Sequence, residues 1–381
     1  MRILYAGQSL AEPGGGGELS ASAMLRKLAV HHDVRVVGAA SVDSRESSCK
    51  EIDVFNYALP AAEGVFLQSG HTEREARFRE IICNHLTRFQ PRLVLLQQPG
   101  FLHAGDLDKD TRLVMFIRSP LCFGCWDPNP VRWRRAVLSA LTYKRFRKFQ
   151  PLLQRADLII SNSNYMRDEL LRKRHLESVN IPPLIEADEP SGQSVPSSRA
   201  FITLVGLDPW KGGELALKLA GAMPHRQFLF VTGNRASSEL LAQAALLDNI
   251  ELAGWTNDMS EHYRRTRLII MPSHWAEPFG RVAVEAGRYQ IPTIATATGG
   301  LPEAVGAGGI LLPRAASKSD WIGAIESLDD EAQYNHLASL ASEHSRRFSP
   351  ERVFEKVDLA VRQHTGLDLF EGDVGSNTPA E

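Results

Sequence analysis

Short apolar runs recur along the chain and alternate with segments whose apolar residues fall on one helical face. The runs predicted to be strands are 2–7, 32–38, 91–97, 113–117, 156–160, 201–205, 228–232, 250–253, 268–271 and 291–297. Helices are predicted at 19–29, 74–89, 165–174, from 281 onward, at 331–347 and at 350–363. Continuously apolar strands that alternate with helices are typical of buried parallel sheets. The pattern therefore predicts an α/β fold.

The predicted division into domains depends on one linker-like stretch. Residues 186–199 are rich in Pro, Ser, Gly and acidic residues, which indicates a linker. The predicted parts are an N-terminal domain at 1–185, the linker at 186–199, a C-terminal domain at 200–348, a final helix at 349–365 and a tail at 366–381. The tail is polar and acidic, so we expect it to be disordered. The chain of 381 residues is long enough for two cores.

The candidate functional site lies where the strand at 268–271 is followed by the run Glu277-Pro278-Phe279-Gly280. Pro and Gly keep this run out of a helix, which we expect to begin at about Arg281. Glu277 then precedes the helix and Glu285 falls in its second turn, so both carboxylates can face one pocket. The free N–H groups of the helix start, at 279–281, would favour an anion. This combination suits a sugar nucleotide, whereas the alternative is a pair of acids on a solvated surface.

A second glycine turn follows the strand at 291–297. Gly299 and Gly300 would let the backbone approach a ligand closely, and Pro302 fits the first turn of another helix. The E-P-F-G-x4-E run and the later G-G-x-P-E run together resemble the retaining glycosyltransferases of family 4. The resemblance extends over about 2–363 and is looser in the first domain.

The resemblance implies the fold called GT-B, in which two Rossmann-like parallel-sheet domains face each other across a cleft. It implies that the first domain binds the acceptor, that the second binds the donor nucleotide, and that the helix at 349–365 crosses back to the first domain. The donor-binding residues that it implies are Gly16, Gly17, Lys211, Trp255, Glu277, Phe279, Gly280, Arg281, Glu285, Gly299 and Gly300. Catalysis is assigned to Glu277 and Lys211.

In the second domain, Glu277 would contact the donor sugar and Glu285 the nucleotide ribose. The segment from Gly206 resembles the family's G-R-x4-K-G element, whose arginine and lysine hold the donor diphosphate. Lys211 matches the lysine, but Leu207 stands where the arginine is expected. The candidates to replace this arginine are Arg118, Arg235 and Arg281. A tryptophan at the turn after the strand at 250–253, Trp255, would help to frame the base or would simply pack.

Two features of the first domain bear on ligand binding. The glycine run that ends at Gly16 and Gly17 resembles the family's loop that faces the donor phosphates. Its alternatives are a dinucleotide-binding turn, for which the glycines come late after the first strand, and a mobile solvent loop. Arg118 stands where many family members carry a sugar-contacting histidine. It would bind a carboxylate or phosphate of donor or acceptor, or else form a structural ion pair.

The segment 132–149 carries seven basic residues and no acidic one, interleaved with aromatic residues. This composition would suit an anionic membrane surface or a phosphorylated acceptor. The alternative is a solvated helix that packs its aromatic side chains on the first domain.

Composition bears on the partners, the location and the cofactors that we expect for this protein. The net charge of −2 gives no reason to expect a nucleic acid partner. No apolar run is long enough to span a bilayer, so we expect a cytoplasmic protein, or one peripheral on the inner face of the membrane. Cys122 and Cys125 have a zinc-like spacing, but no second pair accompanies them, so neither a metal nor another cofactor is expected.

The sequence thus predicts a metal-independent, retaining, hexosyltransferase-type enzyme. It would move a sugar from a nucleoside-diphosphate sugar to an acceptor hydroxyl, in polysaccharide, glycolipid or other glycoconjugate biosynthesis. Two alternatives remain: a sugar-nucleotide 2-epimerase of the same fold, and a non-catalytic sugar-nucleotide-binding protein or partner subunit.

Overall fold

The computed structural model describes residues 1–10, 16–40, 44–49, 52–59, 69–97, 101–123, 132–186, 199–233, 236–254, 256 and 258–370. Within them the chain forms two α/β units, each built on its own sheet. The predicted α/β class and the two Rossmann-like parallel-sheet units are confirmed.

The first sheet has eight strands in the order β3-β4-β2-β1-β5-β6-β7-β8. The strands are β1 Arg2–Gln8, β2 Asp33–Ala40, β3 Ser44–Cys49, β4 Ile52–Ala58, β5 Leu93–Leu96, β6 Arg112–Ile117, β7 Leu158–Ser161 and β8 Val179–Asn180. All pairs are parallel except β3 with β4 at the edge. The helices of this unit are α1 Gly16–Ala29, α2 Ser69–Phe89, α3 Arg132–Arg155 and α4 Asn164–Arg174.

Strand β1 shows why this sheet is apolar on both faces. Ile3 and Tyr5 pack with α1, whereas Leu4 and Ala6 point the other way and pack with α2 and α3. Successive side chains of a strand point to opposite faces, so a strand covered on both sides is apolar throughout. This burial explains the continuous apolar run at the start of the chain.

The second sheet has six strands, all parallel, in the order β11-β10-β9-β12-β13-β14. They are β9 Phe201–Val205, β10 Gln227–Val231, β11 Ile250–Ala253, β12 Thr266–Met271, β13 Thr293–Thr296 and β14 Gly309–Leu312. The helices are α5 Gly213–Ala222, α6 Ser238–Ala244, α7 Ser260–Arg265, α8 Arg281–Arg288, α9 Leu301–Val305, α10 Lys318–Glu326 and α11 Glu331–Ser345. The carboxyl ends of central strands β9 and β12 lead into the two loops that carry Lys211 and Glu277.

The last helix, α12 Pro350–Thr365, packs on the first domain. Its buried face, which includes Val353, Val357 and Val361, joins the core formed by α1 and the first sheet. The chain therefore returns to the first domain after completing the second. The exact domain limits given above stay a prediction, and most of the proposed linker, 187–198, lies outside the described residues.

The structure differs from the sequence-based expectation just after α12. Residues 366–370 were expected to begin a disordered tail, but Leu367 and Leu369 are buried against the first domain. His32 Nε2 also lies 2.7 Å from the carbonyl oxygen of Leu369. The apolar residues of this short stretch outweigh its polar neighbours, while 371–381 lie outside the described residues. Within the part of the chain that the structure describes, no helix is long and apolar enough to cross a membrane.

Candidate functional site

The site is built around the loop between β12 and α8, which contains Glu277. Helix α8 begins at Arg281, as the sequence predicts, and Gly280 precedes it with φ 119°. A Cβ at Gly280 would lie 2.7 Å from Leu301 Cδ2, so only glycine fits there without a shift. Among the described residues, the backbone N–H groups of 279–281 donate no hydrogen bond, which leaves them available to an anion.

The carboxylate of Glu277 is buried but remains partly available. Its Oε1 accepts a hydrogen bond of 2.6 Å from the hydroxyl of Ser273, four residues earlier in the same loop. In the portion of the chain described, no hydrogen bond reaches its other oxygen, Oε2. The loop therefore orients one carboxylate oxygen and leaves the other for a ligand.

Gly299 and Gly300 allow a close contact with the Glu277 loop itself. Gly299 has φ 60°, and a Cβ there would lie 2.3 Å from the carbonyl oxygen of Glu277. Gly300 donates a 2.7 Å backbone hydrogen bond to that same carbonyl oxygen. The sequence predicted that these glycines approach a ligand, and their donor-binding role stays a prediction. The close approach that the structure contains is to the backbone of 276–279.

Glu285 lies in α8 and is held by two neighbours. Its Oε1 pairs with Arg281 Nε and its Oε2 accepts a 2.7 Å hydrogen bond from Tyr263. Burial, with the adjacent Glu285 carboxylate, raises the pKa of Tyr263 well above its ordinary value. Both oxygens of Glu285 thus already accept a hydrogen bond. A ribose hydroxyl would have to share them with Arg281 and Tyr263.

Arg281 joins the two domains. Its Nη1 donates to the carbonyl oxygen of Gly16 at 3.0 Å and to that of Leu184 at 3.2 Å. A Cβ at Gly16 would lie 2.7 Å from Arg281 Cδ, so the glycine permits this approach. Gly16, predicted from the first domain, and Arg281, predicted from the second, therefore meet. The contact places the start of α1 opposite the start of α8.

Arg118 and Gly17 also meet on the first-domain side. Arg118 Nη1 donates to the carbonyl oxygen of Gly17, and the guanidinium lies 5.0 Å from the ring centre of Phe116. Burial lowers the pKa of Arg118 from its ordinary value. Within the described residues no carboxylate lies in salt-bridge range of Arg118, so the structural ion pair is not found. Its remaining N–H groups can contact a ligand.

Gln97, which directly follows β5, is a polar residue beside Arg118 and Gly17 that none of the predicted motifs contains. Its Oε1 accepts hydrogen bonds from Tyr5 at 2.8 Å and from the backbone of Gln8 at 3.1 Å. Its Nε2 donates to Glu18 at 3.1 Å. Gln97 therefore fixes the first turn of α1 against the end of β5. The sequence does contain a signal for Gln97, because this polar residue directly follows the apolar strand β5.

The loop that carries Lys211 adjoins the Glu277 loop. Gly212 has φ 81°, and a Cβ there would lie 2.1 Å from the carbonyl oxygen of Pro272. His274 donates a 2.9 Å backbone hydrogen bond to Trp210. Lys211 is only partly engaged, because its Nζ lies 3.4 Å from the carbonyl oxygen of Val205. The structure thus places a lysine beside the loop that leads to α8.

Comparison with known proteins agrees with this geometry. Residues 186–343 match the family model described as glycosyl transferases group 1. The matched residues include all six strands of the second sheet. The family 4 assignment stays a prediction.

Curated relatives match this chain over part of their length. D-inositol 3-phosphate glycosyltransferase from Paenarthrobacter aurescens is 37% identical over 27% of this chain and 24% of its own. The protein of the same name from Mycobacterium sp. (strain JLS) is 28% identical over 52% of this chain and 51% of its own. The chain therefore spans about half, or less, of the length of these relatives.

Solved structures resemble this chain over nearly its whole length. Sucrose-phosphate synthase from Thermosynechococcus elongatus matches with a TM-score of 0.73 and 17% identity, over 95% of this chain and 99% of that one. HepE from Anabaena, in complex with UDP-glucose, matches with a TM-score of 0.66 and 19% identity, over 95% and 100%. These likenesses establish the shared two-domain GT-B fold.

At Leu207 this chain departs from the G-R-x4-K-G element that its sequence resembles. Leu207 is fully buried in the core between α5 and the second sheet, so it contributes no charge to the site. Arg235, one candidate replacement, lies outside the described residues, and so does Trp255. Of the three candidates, Arg281 and Arg118 are described, and they contact Gly16 and Gly17 respectively.

The basic segment 132–149 forms part of α3. Phe146 and Phe149 are buried, whereas Arg147 and Lys148 are exposed. The side chains at 132–139, 141–142 and 144–145 lie outside the described residues. The aromatic packing of the structural alternative is therefore present, and the charged face that a membrane would need is described only at Arg147 and Lys148.

Within the described part of the chain, no group of three or more His, Cys, Asp or Glu side chains is placed to hold a metal ion. Burial raises the pKa of the Cys122 thiol to about 11, which disfavours the thiolate that zinc requires. Cys125 lies outside the described residues.

Proposed function

We propose that this chain transfers a sugar from a nucleoside-diphosphate sugar to an acceptor hydroxyl, with retention of configuration and without a bound metal. One observation carries the proposal. Within the described residues, the buried Glu277 carboxylate has one oxygen without a hydrogen bond and directly precedes the N–H groups at the start of α8, which donate none there. A carboxylate for sugar hydroxyls and a donor array for phosphate are the two halves of a sugar-nucleotide site.

The diphosphate would lie between the start of α8 and the Lys211 loop. Positive charge on Lys211 and the dipole of α8 would stabilise the negative charge that develops on the leaving diphosphate. This is the task that a metal ion performs in other transferases. Arg281 and Arg118 would add charge where the family's arginine is replaced by Leu207.

The two carboxylates would act on different parts of the donor. Glu277 would contact the hydroxyls of the transferred sugar and the positive charge that develops at its anomeric carbon. Glu285, one turn further into α8, would hold the ribose through oxygens already ordered by Arg281 and Tyr263. Preordered acceptors of this kind lose little freedom when the ligand binds.

The first domain would bind the acceptor. The printed names of relatives include D-inositol 3-phosphate glycosyltransferase, and one structural neighbour is in complex with UDP-glucose. They support a hexosyl donor and a role in glycoconjugate biosynthesis. Exposed Arg147 and Lys148, on basic helix α3, support a position at an anionic membrane surface on the cytoplasmic side.

The test is turnover by the full chain with UDP-, GDP-, ADP- and TDP-glucose, each with a panel of hydroxyl acceptors, followed by mass spectrometry and NMR. We expect one donor to be consumed only when an acceptor is present, with an α-linked product, and the same rate in EDTA. An isomerised sugar nucleotide formed without acceptor would instead indicate the 2-epimerase.

The missing family arginine, with Leu207 in the core, favours one second candidate, a sugar-nucleotide-binding subunit that does not catalyse transfer. Tight nucleotide binding with no turnover over the whole panel would favour it. If the wild type does turn over, Glu277→Gln should lower turnover strongly and leave diphosphate binding in place.

A further inference from the structure

Glu303 joins the second domain to the first through its carboxylate. It lies in α9, the helix that directly follows Gly299 and Gly300. Its Oε2 accepts a 2.6 Å hydrogen bond from the backbone N–H of Asn164, and its Oε1 accepts one of 3.0 Å from the side-chain amide of Asn180. Asn164 is the first residue of α4 and Asn180 is the last residue of β8. One side chain of the second domain therefore bonds two separate elements of the first domain.

The negative charge of Glu303 suits these two donors. Hydrogen bonds to a carboxylate are about twice as strong as those between neutral groups. The start of α4 also favours a negative charge, because the first N–H groups of a helix have no partner within the helix. Ser163, the cap of α4, accepts from Met166 N, whereas the N–H of the first helical residue is bonded by Glu303. The second domain thus completes the capping of α4.

Glu303 is also connected to the loop of Glu277 by backbone hydrogen bonds. Glu303 N donates to the carbonyl oxygen of Gly300 at 3.1 Å, and Gly300 N donates to that of Glu277 at 2.7 Å. The carbonyl oxygen of Glu303 lies 2.9 Å from His344 Nε2 in α11. The glycine turn at 299–300 packs tightly against the backbone of 276–279. Because close-packed segments transmit strain, a displacement of Glu303 would also displace the Glu277 loop.

A second contact between the domains lies next to the first. The hydroxyl of Ser163 donates to the carbonyl oxygen of Pro278, the residue after Glu277. Ser163 and Asn164 follow one another at the start of α4. Two consecutive residues of the first domain therefore bond to the Glu277 loop and to the helix that follows the glycine turn. The position of the first domain and the orientation of the Glu277 loop are thereby linked.

We infer that Glu303 is a positioning residue, which couples the contact between the domains to the orientation of Glu277. With the first domain in place, Asn164 and Asn180 hold Glu303, and the glycine turn holds the Glu277 loop. When the domains separate, Glu303 loses both donors and the loop loses part of its support. This inference rests on the proposed function, in which Glu277 contacts the transferred sugar. Glu303 then acts on transfer and not on binding of the diphosphate.

The kinetic test compares Glu303→Ala and Glu303→Gln with the wild-type chain. Glu303→Ala removes both acceptor oxygens and should lower kcat roughly tenfold, the effect of one lost charged hydrogen bond, while the Kd of the matching nucleoside diphosphate changes less than about twofold. Glu303→Gln should recover most of the lost kcat. Its oxygen can accept from Asn164 N, and its amide can donate to Asn180 Oδ1, which has no hydrogen-bond partner among the described residues. Glu326→Ala, at an exposed position on α10, is the control and should leave kcat unchanged.

A second measurement needs no turnover. Hydrogen–deuterium exchange, resolved to single amides by mass spectrometry, follows Asn164 N–H, which bonds Glu303, and Gly300 N–H, which bonds Glu277. Glu303→Ala should speed exchange at Asn164 roughly tenfold and should also speed exchange at Gly300. Asn180→Ala, a change confined to the first domain, should likewise speed exchange at Gly300. A local capping role of Glu303 would affect Asn164 alone.

Unchanged exchange at Gly300 in both Glu303→Ala and Asn180→Ala would overturn the coupling, as would a wild-type kcat in Glu303→Ala. Exchange in strand β9 should be the same in every variant, which shows that the fold is intact. A wild-type chain that binds no diphosphate would instead contradict the proposed function, and the exchange rates at Gly300 would still decide the coupling.

Discussion

Two walls meet where the domains face each other: the Glu277 loop in the second domain, here the second wall, and the start of α1 in the first domain, here the first wall. The second wall is held by backbone packing, whereas the first wall is held by side chains. Gly299 and Gly300 allow the backbone to press directly on the Glu277 loop. Across the cleft, Arg118 and Gln97 hold the start of α1 through long polar side chains.

This difference suggests how the two walls can vary. Backbone packing at glycines with positive φ admits few replacements, so the second wall should be rigid and intolerant. A wall fixed by side chains can change its ligand by changing one residue while the sheet below stays intact. The arrangement suits an enzyme whose donor site is common to a family and whose acceptor site differs.

The largest expected effect is on the backbone-packed wall. Gly299→Ala would place a Cβ at 2.3 Å from the carbonyl oxygen of Glu277 at a residue with φ 60°. Overpacking and left-handed strain together should lower the free energy of unfolding by about 2 to 5 kcal/mol. Urea unfolding measures this change.

Gly323→Ala is the matched control, because a Cβ at this position in α10 meets nothing within 4 Å. It should raise stability by about 0.5 to 1 kcal/mol. Equal stabilities for the two variants would show that the glycine contact is not what holds the Glu277 loop.

Removing charge from the second wall should produce the next largest effect, on kinetics. Lys211→Ala should lower kcat tenfold to a hundredfold, because a charged hydrogen bond is worth about 1.5 to 3 kcal/mol. Glu285→Ala should mainly raise the KM of the donor, since the ribose is bound equally in the ground and transition states. Steady-state kinetics with the matching donor separates the two, and unchanged constants in both variants would refute the site assignment.

Acid should weaken the first domain through a buried histidine. His85 on α2 is 2.7 Å from the hydroxyl of Tyr57, and burial lowers its pKa from 6.5 to about 4. The unfolded chain then binds more protons than the folded chain between these values, so stability is full above pH 6.5 and falls as the pH approaches 4. This group should account for about 2 kcal/mol between pH 7 and pH 4.5.

The measurement is urea unfolding of the wild type and of His85→Gln at both pH values. The variant should lose less stability on acidification than the wild type. An identical pH dependence in the two proteins would mean that His85 does not titrate as its burial implies.

The smallest expected effect concerns the contact between the walls. Ser163 caps α4 by accepting from Met166 N at 3.1 Å, and its hydroxyl also donates to the carbonyl oxygen of Pro278 in the second domain. Ser163→Ala should cost about 1 to 2 kcal/mol. Ser349→Ala removes a similar cap from α12, whose described bond is to Arg352 N, and should cost about 1 kcal/mol or less.

A second readout ties this pair of variants to the site. Ser163→Ala should raise the KM of the donor about twofold to fivefold because the loop next to Glu277 loses an anchor. Ser349→Ala should leave this KM unchanged. A larger rise in the Ser349 variant would contradict the positioning role of Ser163.

Much of the second wall could be predicted because its sequence contains strong local signals. Pro278 and Gly280 interrupt the chain where the loop lies, so the start of α8 at Arg281 was correctly placed. The contact of Gly299 with the backbone of Glu277 could not be predicted. A glycine indicates that space is tight at its position, but it does not indicate which group occupies that space. The contact of Arg281 with Gly16 depends on how the two domains meet, which no local pattern encodes.

The first domain was harder to predict for physical reasons. Strand β3, Ser44–Cys49, has a polar sequence without an apolar run and pairs antiparallel with β4 at the edge of the sheet, so the pattern of apolar runs did not indicate it. The stretch at 366–370 looked polar overall, yet Leu367 and Leu369 are enough to fold it onto the core.

The central claim is that the loop of Glu277, the start of α8 and Lys211 form a metal-independent site for a nucleoside diphosphate. The most direct measurement is a thermal-shift series with UDP, GDP, ADP and TDP, each with and without EDTA, on the wild type and on Lys211→Ala. At about 100 times its Kd, a diphosphate should add roughly 2.7 kcal/mol, a shift of a few degrees. We predict that one diphosphate produces this shift in the wild type, that EDTA does not change it, and that Lys211→Ala reduces it. No shift with any diphosphate, or a shift that EDTA abolishes, would contradict the account.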